Sequence, residues 1–404
     1  MFLLSHMLKK FIRKGSLQII DADQKTYIFG NGTALFVVLR FHDKKLPLKL
    51  FLNPELRAGE AYMDGSMTFE TGGVYDLLTL FGLNRTALGS YPLQSLLRKI
   101  WKALRGLQQY NPVKKSKQNV AHHYDLSKRL YELFLDKDLQ YSCAYFKSPQ
   151  DTLEQAQENK KEHIAAKLHL KKGQKVLDIG CGWGGLALYL ARHADVEVLG
   201  VTLSTEQLDV ARARAKDMKL DHRVRFELMD YRDVSGSFDR IVSVGMFEHV
   251  GAGHYDEFFA KVKELLTDDG IALLHSIGHM SPPGTTSPWI RKYIFPGGYS
   301  PALSETFAAT ERNYLWVSDV EILRLHYAET LKAWRERFEK NRAEIASLYD
   351  ERFCRMWEFY LISAEMVFRQ GSSMVFQMQL AKDRAAAPLV RVYENDIEPL
   401  ALSA

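Results

Sequence analysis

The stretch Lys175-Val-Leu-Asp-Ile-Gly-Cys-Gly-Trp-Gly-Gly185 decides the fold. Its first half is a short apolar run that predicts a buried strand, and the pattern from Gly185 to about His193 predicts a helix. Glycines at a strand-to-helix turn let a ligand approach the backbone closely, because they carry no side chain. The stretch therefore predicts a ligand-binding turn in an α/β sheet.

Strands and helices continue to alternate beyond this turn. Near-continuous apolar strands separated by helices are typical of a mostly parallel sheet with helices on both faces. The fold class predicted is therefore α/β, a Rossmann-like sheet, preceded by a small N-terminal α+β domain. Strands are predicted at 175–180, 196–203, 224–229, 239–245, 271–277 and 373–380, and helices at 185–193, 204–218, 253–266, from Ser318 onward, and at 350–370.

Three segments are predicted from the change of pattern along the chain. Residues 1–82 form the small domain, 83–118 form a basic linker, and 119–404 form the main domain, with an insertion at about 279–370. Within that insertion, 279–315 is rich in Pro, Gly and aromatic residues without a clear period. A stretch of that length inside a compact domain is usually functional, so a lid is expected there.

Composition excludes several classes of protein. The chain has 404 residues with 46% hydrophobic and 25% charged residues, which excludes wholesale disorder. Three cysteines argue against a disulfide framework and for a reducing compartment. No apolar run reaches the roughly 18 residues that span a bilayer. No Cys/His ligand spacing is present, so no metal site is expected.

Charge is distributed unevenly. Residues 1–118 carry a net charge of +10 and the remainder carries −5, so the first third is expected to meet an anionic surface, either nucleic acid or anionic lipid. At the N-terminus, apolar residues precede Lys9, Lys10, Arg13 and Lys14, the reverse of a signal peptide. This segment is expected to form a helix that lies in a membrane interface or packs on its own domain.

The glycine turn by itself permits a dinucleotide ligand. Gly180, Gly182 and Gly185 satisfy G-x-G-x-x-G. However, a dinucleotide site needs a carboxylate at the end of the second strand to hold the ribose, and this strand ends Gly200-Val-Thr-Leu-Ser204. Asp178, at the end of the first strand, suits a cationic ligand better than a pyrophosphate. An NAD enzyme is therefore disfavoured.

Asp178-Ile-Gly-Cys-Gly-Trp-Gly-Gly185 closely resembles motif I of class I S-adenosylmethionine methyltransferases. Together with further sequence blocks, this motif makes the chain resemble the cyclopropane-fatty-acyl-phospholipid synthase family over roughly 120–380. The stretch Gly59-Glu-Ala-Tyr-Met-Asp-Gly65 extends the resemblance to the N-terminal domain. The further blocks are Tyr141-Ser-Cys-Ala-Tyr-Phe146, Thr202-Leu-Ser-Thr-Glu-Gln207, Phe247-Glu-His-Val-Gly251, Trp289-Ile-Arg-Lys-Tyr-Ile-Phe-Pro-Gly-Gly298 and His326-Tyr-Ala-Glu-Thr-Leu-Lys-Ala-Trp334.

The resemblance implies S-adenosyl-L-methionine as the cofactor, bound around the glycine turn, the second strand and the loop after the third strand. An aromatic wall from Tyr231 is weighed against a surface tyrosine. The cofactor residues implied are Tyr141, Ser142, Asp178, Gly180, Gly182, Gly184, Thr202, Leu203, Ser204, Gln207, Asp230, Tyr231 and Arg232.

The resemblance also implies methylene addition across a cis double bond of a phospholipid acyl chain, through a carbocation that a bound bicarbonate ion deprotonates. The residues implied for bicarbonate are Cys143, Glu248, His275, Ile277 through its backbone, and Tyr327. Aromatic faces stabilise cations, although buried aromatic residues mostly serve packing. The candidates along the acyl chain are Phe146, Trp289, Tyr293, Phe295, Trp357 and again Tyr327.

One departure from the family disfavours a covalent cysteine route. Members often carry a cysteine near the end of the chain, where Ala364 stands here, and Cys354 does not match that position. Three alternatives remain: a fatty-acyl methyltransferase giving a methyl-branched or methylene product, a non-catalytic lipid-binding protein, and, less favoured, the NAD enzyme. The resemblance further implies a cytoplasmic homodimer, peripheral at the inner face of the membrane, with a phospholipid partner and no nucleic acid.

Overall fold

The computed structural model describes residues 1–32, 35–85 and 126–390. Nearly all of the predicted linker at 83–118, with its basic residues Arg98, Lys102 and Arg105, lies outside the described residues. Among the described residues, no helix combines the length and the apolar character that crossing a membrane requires.

The described elements agree with the predicted α/β class. Those before residue 86 are α1 (Phe2–Phe11), β1 (Ser16–Ile20), β2 (Thr26–Gly30), β3 (Phe36–Phe41), α2 (Leu46–Leu52), α3 (Pro54–Met63), β4 (Met67–Thr71) and α4 (Val74–Leu83). Those from residue 126 to the third strand of the large sheet are α5 (Lys128–Phe134), α6 (Leu153–Leu168), β5 (Lys175–Ile179), α7 (Gly185–Ala194), β6 (Glu197–Thr202), α8 (Thr205–Asp217) and β7 (Val224–Leu228).

The remaining elements complete that sheet and add helices. They are β8 (Phe238–Val244), α9 (Tyr255–Leu265), β9 (Leu266–His279), α10 (Pro288–Tyr293), α11 (Leu303–Arg312), β10 (Trp316–Ile322), α12 (His326–Lys340), α13 (Arg342–Leu348), α14 (Glu351–Arg369) and β11 (Ser373–Ala381). Short 3₁₀ turns lie at Tyr231–Asp233, Phe247–His249 and Ala252–His254.

The chain divides into two compact units. The first contains the described residues of 1–105 with 285–296 and 331–372, and the second contains those of 106–284, 297–330 and 373–404. The predicted insertion at 279–370 was assigned to the main domain, whereas most of it belongs to the first unit. The physical reason is long-range packing, because α10 packs against α3, and α14 packs against α3 and α4.

The first unit contains a four-stranded sheet in the order β2-β1-β3-β4. Strands β1 and β3 are parallel, while β2 and β4 pair antiparallel at the edges. Helix α1 buries Leu4, Leu8 and Phe11 in the core of this unit, so it packs on its own domain. Phe2 and Leu3, at its start, remain exposed.

The second unit contains a seven-stranded sheet in the order β10-β11-β9-β8-β5-β6-β7. Strands β9, β8, β5, β6 and β7 are mutually parallel, whereas β11 pairs antiparallel with both β9 and β10. Successive residues of a strand face opposite sides of the sheet. Leu177 and Ile179 accordingly enter one hydrophobic core and Val176 enters another, so both faces of the sheet are covered.

One local prediction was wrong. Ser318 caps no helix, because 316–322 forms strand β10 in register with β11, and the Ser318 hydroxyl donates to Gln379 Oε1 at 2.7 Å. The helix begins only at His326. The stretch 279–315 contains α10 and the ten-residue α11, whose start is capped by Glu305 accepting from the Ala302 backbone N–H.

Candidate active site

A cavity opens at the carboxyl ends of β5, β6 and β8, where the strand order reverses. In α/β sheets ligands bind at this reversal. Eleven of the thirteen predicted cofactor residues line the cavity. They are Tyr141, Ser142, Asp178, Gly180, Gly182, Thr202, Leu203, Gln207, Asp230, Tyr231 and Arg232.

Gly184 and Ser204 support the cavity without lining it. Gly184 precedes α7 with φ +82°, and a Cβ there would lie 2.7 Å from Phe226 Cζ. Ser204 caps α8, since its side chain accepts from the Gln207 backbone N–H. Neither residue lines the cavity, and each stabilises the backbone next to residues that do.

The glycine turn owes its path to left-handed backbone angles. Gly180 has φ +83° and Gly182 has φ +53°, values that side-chain-bearing residues rarely adopt. A Cβ on Gly180 would lie 2.8 Å from Met246 Cβ, whereas a Cβ on Gly182 would meet nothing within 4 Å. Gly182 thus leaves open the space in front of the turn, where a ligand approaches.

Asp178 places a carboxylate in the cavity. It lies on β5 and is 2% exposed, and its Oδ2 has no hydrogen-bond partner among the described residues. Burial raises the pKa of Asp178 to about 7, opposed by the charge of Lys160. A buried, unpaired carboxylate fits a cationic group of a ligand better than an anionic one.

The segment carrying Tyr141 and Ser142 is held by the fully buried side chains of helix α6. Lys160 Nζ donates to Ser142 Oγ at 2.8 Å and to Gln140 Oε1 at 2.5 Å. Gln157 Nε2 donates to the carbonyls of Ser142 at 3.1 Å and Gln140 at 3.3 Å. Four hydrogen bonds from two neighbouring side chains therefore fix this wall of the cavity.

Tyr231 is a buried residue of the cavity wall. It is 9% exposed and packs edge-on against Phe258, which excludes the surface alternative. Arg232 lies over the Tyr231 ring at 5.5 Å and forms a bidentate pair with Asp230 at 2.8 Å for both bonds. The Asp230 carboxylate is thereby bonded to its own neighbour, and Tyr231 contributes an aromatic ring to the lining of the cavity.

The residues predicted to hold an anion include two on segments that border this cavity. Glu248 precedes the lining residue His249, and the His275 carbonyl accepts from the N–H of the lining residue Gly245 at 2.9 Å. Glu248 Oε1 accepts from the Ile277 backbone N–H at 2.6 Å, so Ile277 does contribute through its backbone, although to Glu248. Glu248 Oε2 is buried without a partner among the described residues. Burial raises the pKa of Glu248 to about 7, opposed by the Ile277 hydrogen bond.

His275 supplies a second unsatisfied atom. Its Nδ1 is 3.1 Å from Gln377 Nε2, and its Nε2 is buried with no partner in the described part of the chain. Burial, and then the charge of Lys160, lowers the pKa of His275 well below its usual value, so the ring is neutral. A neutral imidazole carries one donor and one acceptor nitrogen.

A hydrogen bond between neighbouring residues links the segment that contains Cys143 to the helix that contains Tyr327. The Ala144 N–H donates to Thr330 Oγ1 at 3.0 Å, which joins the Cys143 segment to the first turn of α12, where Tyr327 lies. Burial raises the pKa of Cys143, so its thiol stays protonated. The charge of Lys160 acts on both Cys143 and His275, which places this lysine near both groups.

The predicted substrate residues fall in different units. Phe146 lies in the second unit, where its backbone N–H donates to His326 Nδ1 at 2.9 Å. The other four lie in the first unit, in two aromatic groups. Trp289 contacts Tyr293 and Phe359 with ring centroids 5.6 and 4.8 Å apart, and Phe295 and Trp357 contact Tyr360 at 5.8 and 5.3 Å. Trp289 and Trp357 are buried, whereas Tyr293 and Phe295 are partly exposed.

Three polar residues of the site were missed from the sequence: Gln157, Lys160 and Gln377. A signal existed for the first two. Leu153, Ala156, Gln157, Lys160 and Ile164 repeat at helical spacing and all face inward, so a polar residue on that stripe indicated a buried hydrogen-bonding role. Gln377 gave no local signal, since polar residues are common in an alternating strand.

The sheet is largely parallel, and its cavity lies at the glycine turn, at the carboxyl ends of the strands. This strand order and this position of the cavity are those of the class of S-adenosylmethionine-dependent methyltransferases. The family model described as mycolic acid cyclopropane synthetase matches residues 112–378. The chain belongs to that family and is an S-adenosylmethionine-dependent methyltransferase. The predicted family and fold class are confirmed.

Named relatives agree with this assignment. The "Cyclopropane-fatty-acyl-phospholipid synthase" of Escherichia coli K12 is 41% identical over 332 residues, 81% of this chain and 83% of that protein. The "Probable fatty acid methyltransferase" of Pseudomonas putida is 43% identical over 274 residues, 66% and 69% of the two chains. The solved mycolic acid cyclopropane synthase CmaA1, complexed with SAH and CTAB, is 33% identical with a TM-score of 0.63, covering 67% of this chain and 99% of that one.

Proposed function

We propose that this enzyme transfers a methylene group from S-adenosylmethionine to the cis double bond of an unsaturated phospholipid acyl chain, closing a cyclopropane ring. The observation that carries the proposal is the pair of buried, unsatisfied atoms Glu248 Oε2 and His275 Nε2 beside the cofactor cavity. Two buried polar atoms without hydrogen bonds favour the binding of a small polar ligand that would bond to both. The Escherichia coli relative supports the lipid class.

The cofactor cavity fits S-adenosylmethionine. When bound, this cofactor supplies an electrophilic methyl group on a sulfonium. Asp178 would hold a cationic group of the cofactor, and the Tyr231 ring would pack against its base. Lys160, by fixing Ser142, keeps the opposite wall in place. The chain's share of catalysis here is orientation and exclusion of water.

The Glu248 and His275 pair fits a bicarbonate ion, whose chemistry there is to accept a proton from the alkylated chain. The neutral His275 donates from Nε2 when its proton resides there. Since the pKa of Glu248 is about 7, its carboxyl donates from Oε2 when neutral and accepts when ionised. Both bonds are strengthened by the exclusion of water around the two residues.

A second candidate is methyl transfer without ring closure. The Pseudomonas putida relative, named as a fatty acid methyltransferase, is the observation that favours it. The two reactions differ only in which proton leaves the alkylated chain. A methylated alkene and a cyclopropane made from the same lipid have the same mass, so mass alone does not separate them.

The test is expression in a bacterial host that lacks cyclic fatty acids, followed by mass spectrometry of the fatty acid esters before and after dimethyl disulfide treatment. This reagent adds to alkenes and leaves cyclopropanes unchanged. We expect a product heavier by one methylene that does not add the reagent. A product that adds the reagent supports the second candidate. The absence of any alkylated product contradicts both candidates.

We also propose that the protein works at an anionic membrane surface, peripheral to the cytoplasmic face, and as a homodimer. Lys9, Lys10, Arg13 and Lys14 are all exposed on or just after α1, beside the exposed Phe2 and Leu3. Basic residues near anionic lipid contribute about 1 kcal/mol each. The apolar side of α1 packs in the core of the first unit, so the N-terminal end and the basic side of the helix would face the membrane.

A further inference from the structure

Gln377 is a fully buried residue on β11 whose side chain has one hydrogen-bond partner among the described residues. It pairs in register with His275 across the antiparallel β9–β11 ladder, and its amide nitrogen is 3.1 Å from His275 Nδ1. Its Oε1 has no hydrogen-bond partner among the described residues. A buried amide oxygen without a hydrogen bond is destabilising, because it has lost its bonds to water without replacement. Its contact with His275 therefore needs an explanation beyond packing.

Gln379, two residues further on the same face of the strand, provides the contrast. Its Nε2 donates to the Lys167 carbonyl at 2.6 Å, and its Oε1 accepts from the Ser318 hydroxyl at 2.7 Å. Both ends of that amide are satisfied by structural partners. Gln377 instead points its donor at the one ring nitrogen that must be an acceptor if the other nitrogen is to carry the proton.

We propose that Gln377 is a positioning residue that holds neutral His275 in the tautomer with the proton on Nε2. This inference rests on the proposed function, because the Nε2–H donor then faces the place assigned to bicarbonate beside Glu248. With the opposite tautomer, Nε2 presents a lone pair and repels an anion. The amide thus fixes the direction of a hydrogen bond on which the anion site depends.

Burial first, and then the surrounding charges, lower the pKa of His275 and keep the ring neutral. Lys160, Lys167 and His163 lie on α6 and disfavour a charged ring, while Glu321 on β10 favours one. Glu321 is itself bonded to His163 and Lys167, both at 2.5 Å. The tautomer, rather than the charge, is accordingly the property that Gln377 can control.

The variant that tests this is Gln377→Glu, of nearly the same size. A carboxylate only accepts, so it draws the ring proton to Nδ1, and by its charge it raises the pKa of His275. At lower pH the charged ring still donates from Nε2, whereas at higher pH the neutral ring does not. We therefore expect the turnover of Gln377→Glu, relative to that of the wild type at the same pH, to fall by about 10- to 100-fold as pH rises through the new pKa of His275.

Two further readouts accompany the pH profile. Nitrogen-15 NMR of labelled histidines, assigned with His275→Asn, should show protonated Nε2 in the wild type and protonated Nδ1 in Gln377→Glu at high pH. Titration with sodium bicarbonate in carbonate-free buffer, on vesicles of a cis-unsaturated phospholipid, should need a higher concentration for half-maximal rate in the variant. Gln379→Leu is the matched control and should change thermal stability without changing the pH profile.

Each outcome decides one question. If wild-type His275 is protonated on Nδ1, or if Gln377→Glu keeps both the wild-type pH profile and the wild-type nitrogen spectrum, the role of Gln377 is overturned. If the tautomer is as expected but the wild type turns over equally without bicarbonate, the tautomer assignment stands and the proposed anion site fails. The spectra and the bicarbonate titration thus separate the two proposals.

Discussion

The glycine turn and the Glu248–His275 pair belong to the same unit, yet they are built by different means. The turn is made of backbone in left-handed conformations, with open space in front of Gly182. The pair is made of two side chains, each with one buried polar atom that has no partner among the described residues, Glu248 Oε2 and His275 Nε2. The comparison teaches that the first region selects a ligand by shape, whereas the second depends on proton positions and so on pH.

The largest expected effect is on the side-chain region. Glu248→Gln and His275→Ala each remove one group facing the anion site, and we expect turnover to fall by about 10²- to 10³-fold. Cofactor affinity, measured by calorimetry, should stay near the wild-type value, because neither residue lines the glycine-turn cavity. Near-normal turnover in both variants would remove this pair from the mechanism.

The next effect is on the backbone region. Gly182→Asn adds a side chain to the open space in front of the turn, and asparagine tolerates the left-handed conformation better than most residues. We expect cofactor affinity to fall by about 10- to 100-fold, or 1.4 to 2.8 kcal/mol. The measurement is calorimetric titration with S-adenosylmethionine.

Gly173→Asn is the matched control for that prediction. Gly173 also has a positive φ, of +79°, and open space around its missing Cβ, but it does not line the cavity. Both variants should therefore lose similar thermal stability, and only Gly182→Asn should lose the cofactor. Equal affinities in the two variants would mean that the ligand does not approach this turn.

The smallest expected effect lies outside both regions. Reversing the charges of Lys9, Lys10, Arg13 and Lys14 to Glu should lower sedimentation with anionic vesicles by about tenfold, less at high salt, without changing turnover on detergent-solubilised lipid. The control is the same reversal at four exposed lysines of the second unit: Lys171, Lys175, Lys216 and Lys219. Equal loss from both sets would mean that net charge, not α1, governs binding.

The two regions also differ in how far they were predictable. The turn was predicted residue by residue, because a strand, three closely spaced glycines and a helix are contiguous in the chain. Glu248, His275 and Ile277 were identified only through the family resemblance. Lys160 was missed although its place on the inward-facing stripe of α6 indicated a buried polar role. Gln377 was missed because it gives no local pattern and meets His275 across 102 positions.

The aromatic residues also show how far sequence alone can assign a role. Trp289, Tyr293, Phe295 and Trp357 were candidates for the acyl-chain wall because aromatic faces suit that role. In the structure they pack among themselves and with Phe359 and Tyr360. Composition does not distinguish an aromatic residue that lines a channel from one that fills a core, because both are apolar and buried.

The sequence by itself determined the class of sheet, the position of the cofactor turn and the family, because these depend on local periodicity and on contiguous motifs. Only the tertiary structure decided which separated segments form the first unit and which side chains remain unsatisfied beside the turn. The physical reason is that burial and strand register join residues far apart in the chain: Gln377 and His275 meet across 102 positions. No local pattern encodes such a contact.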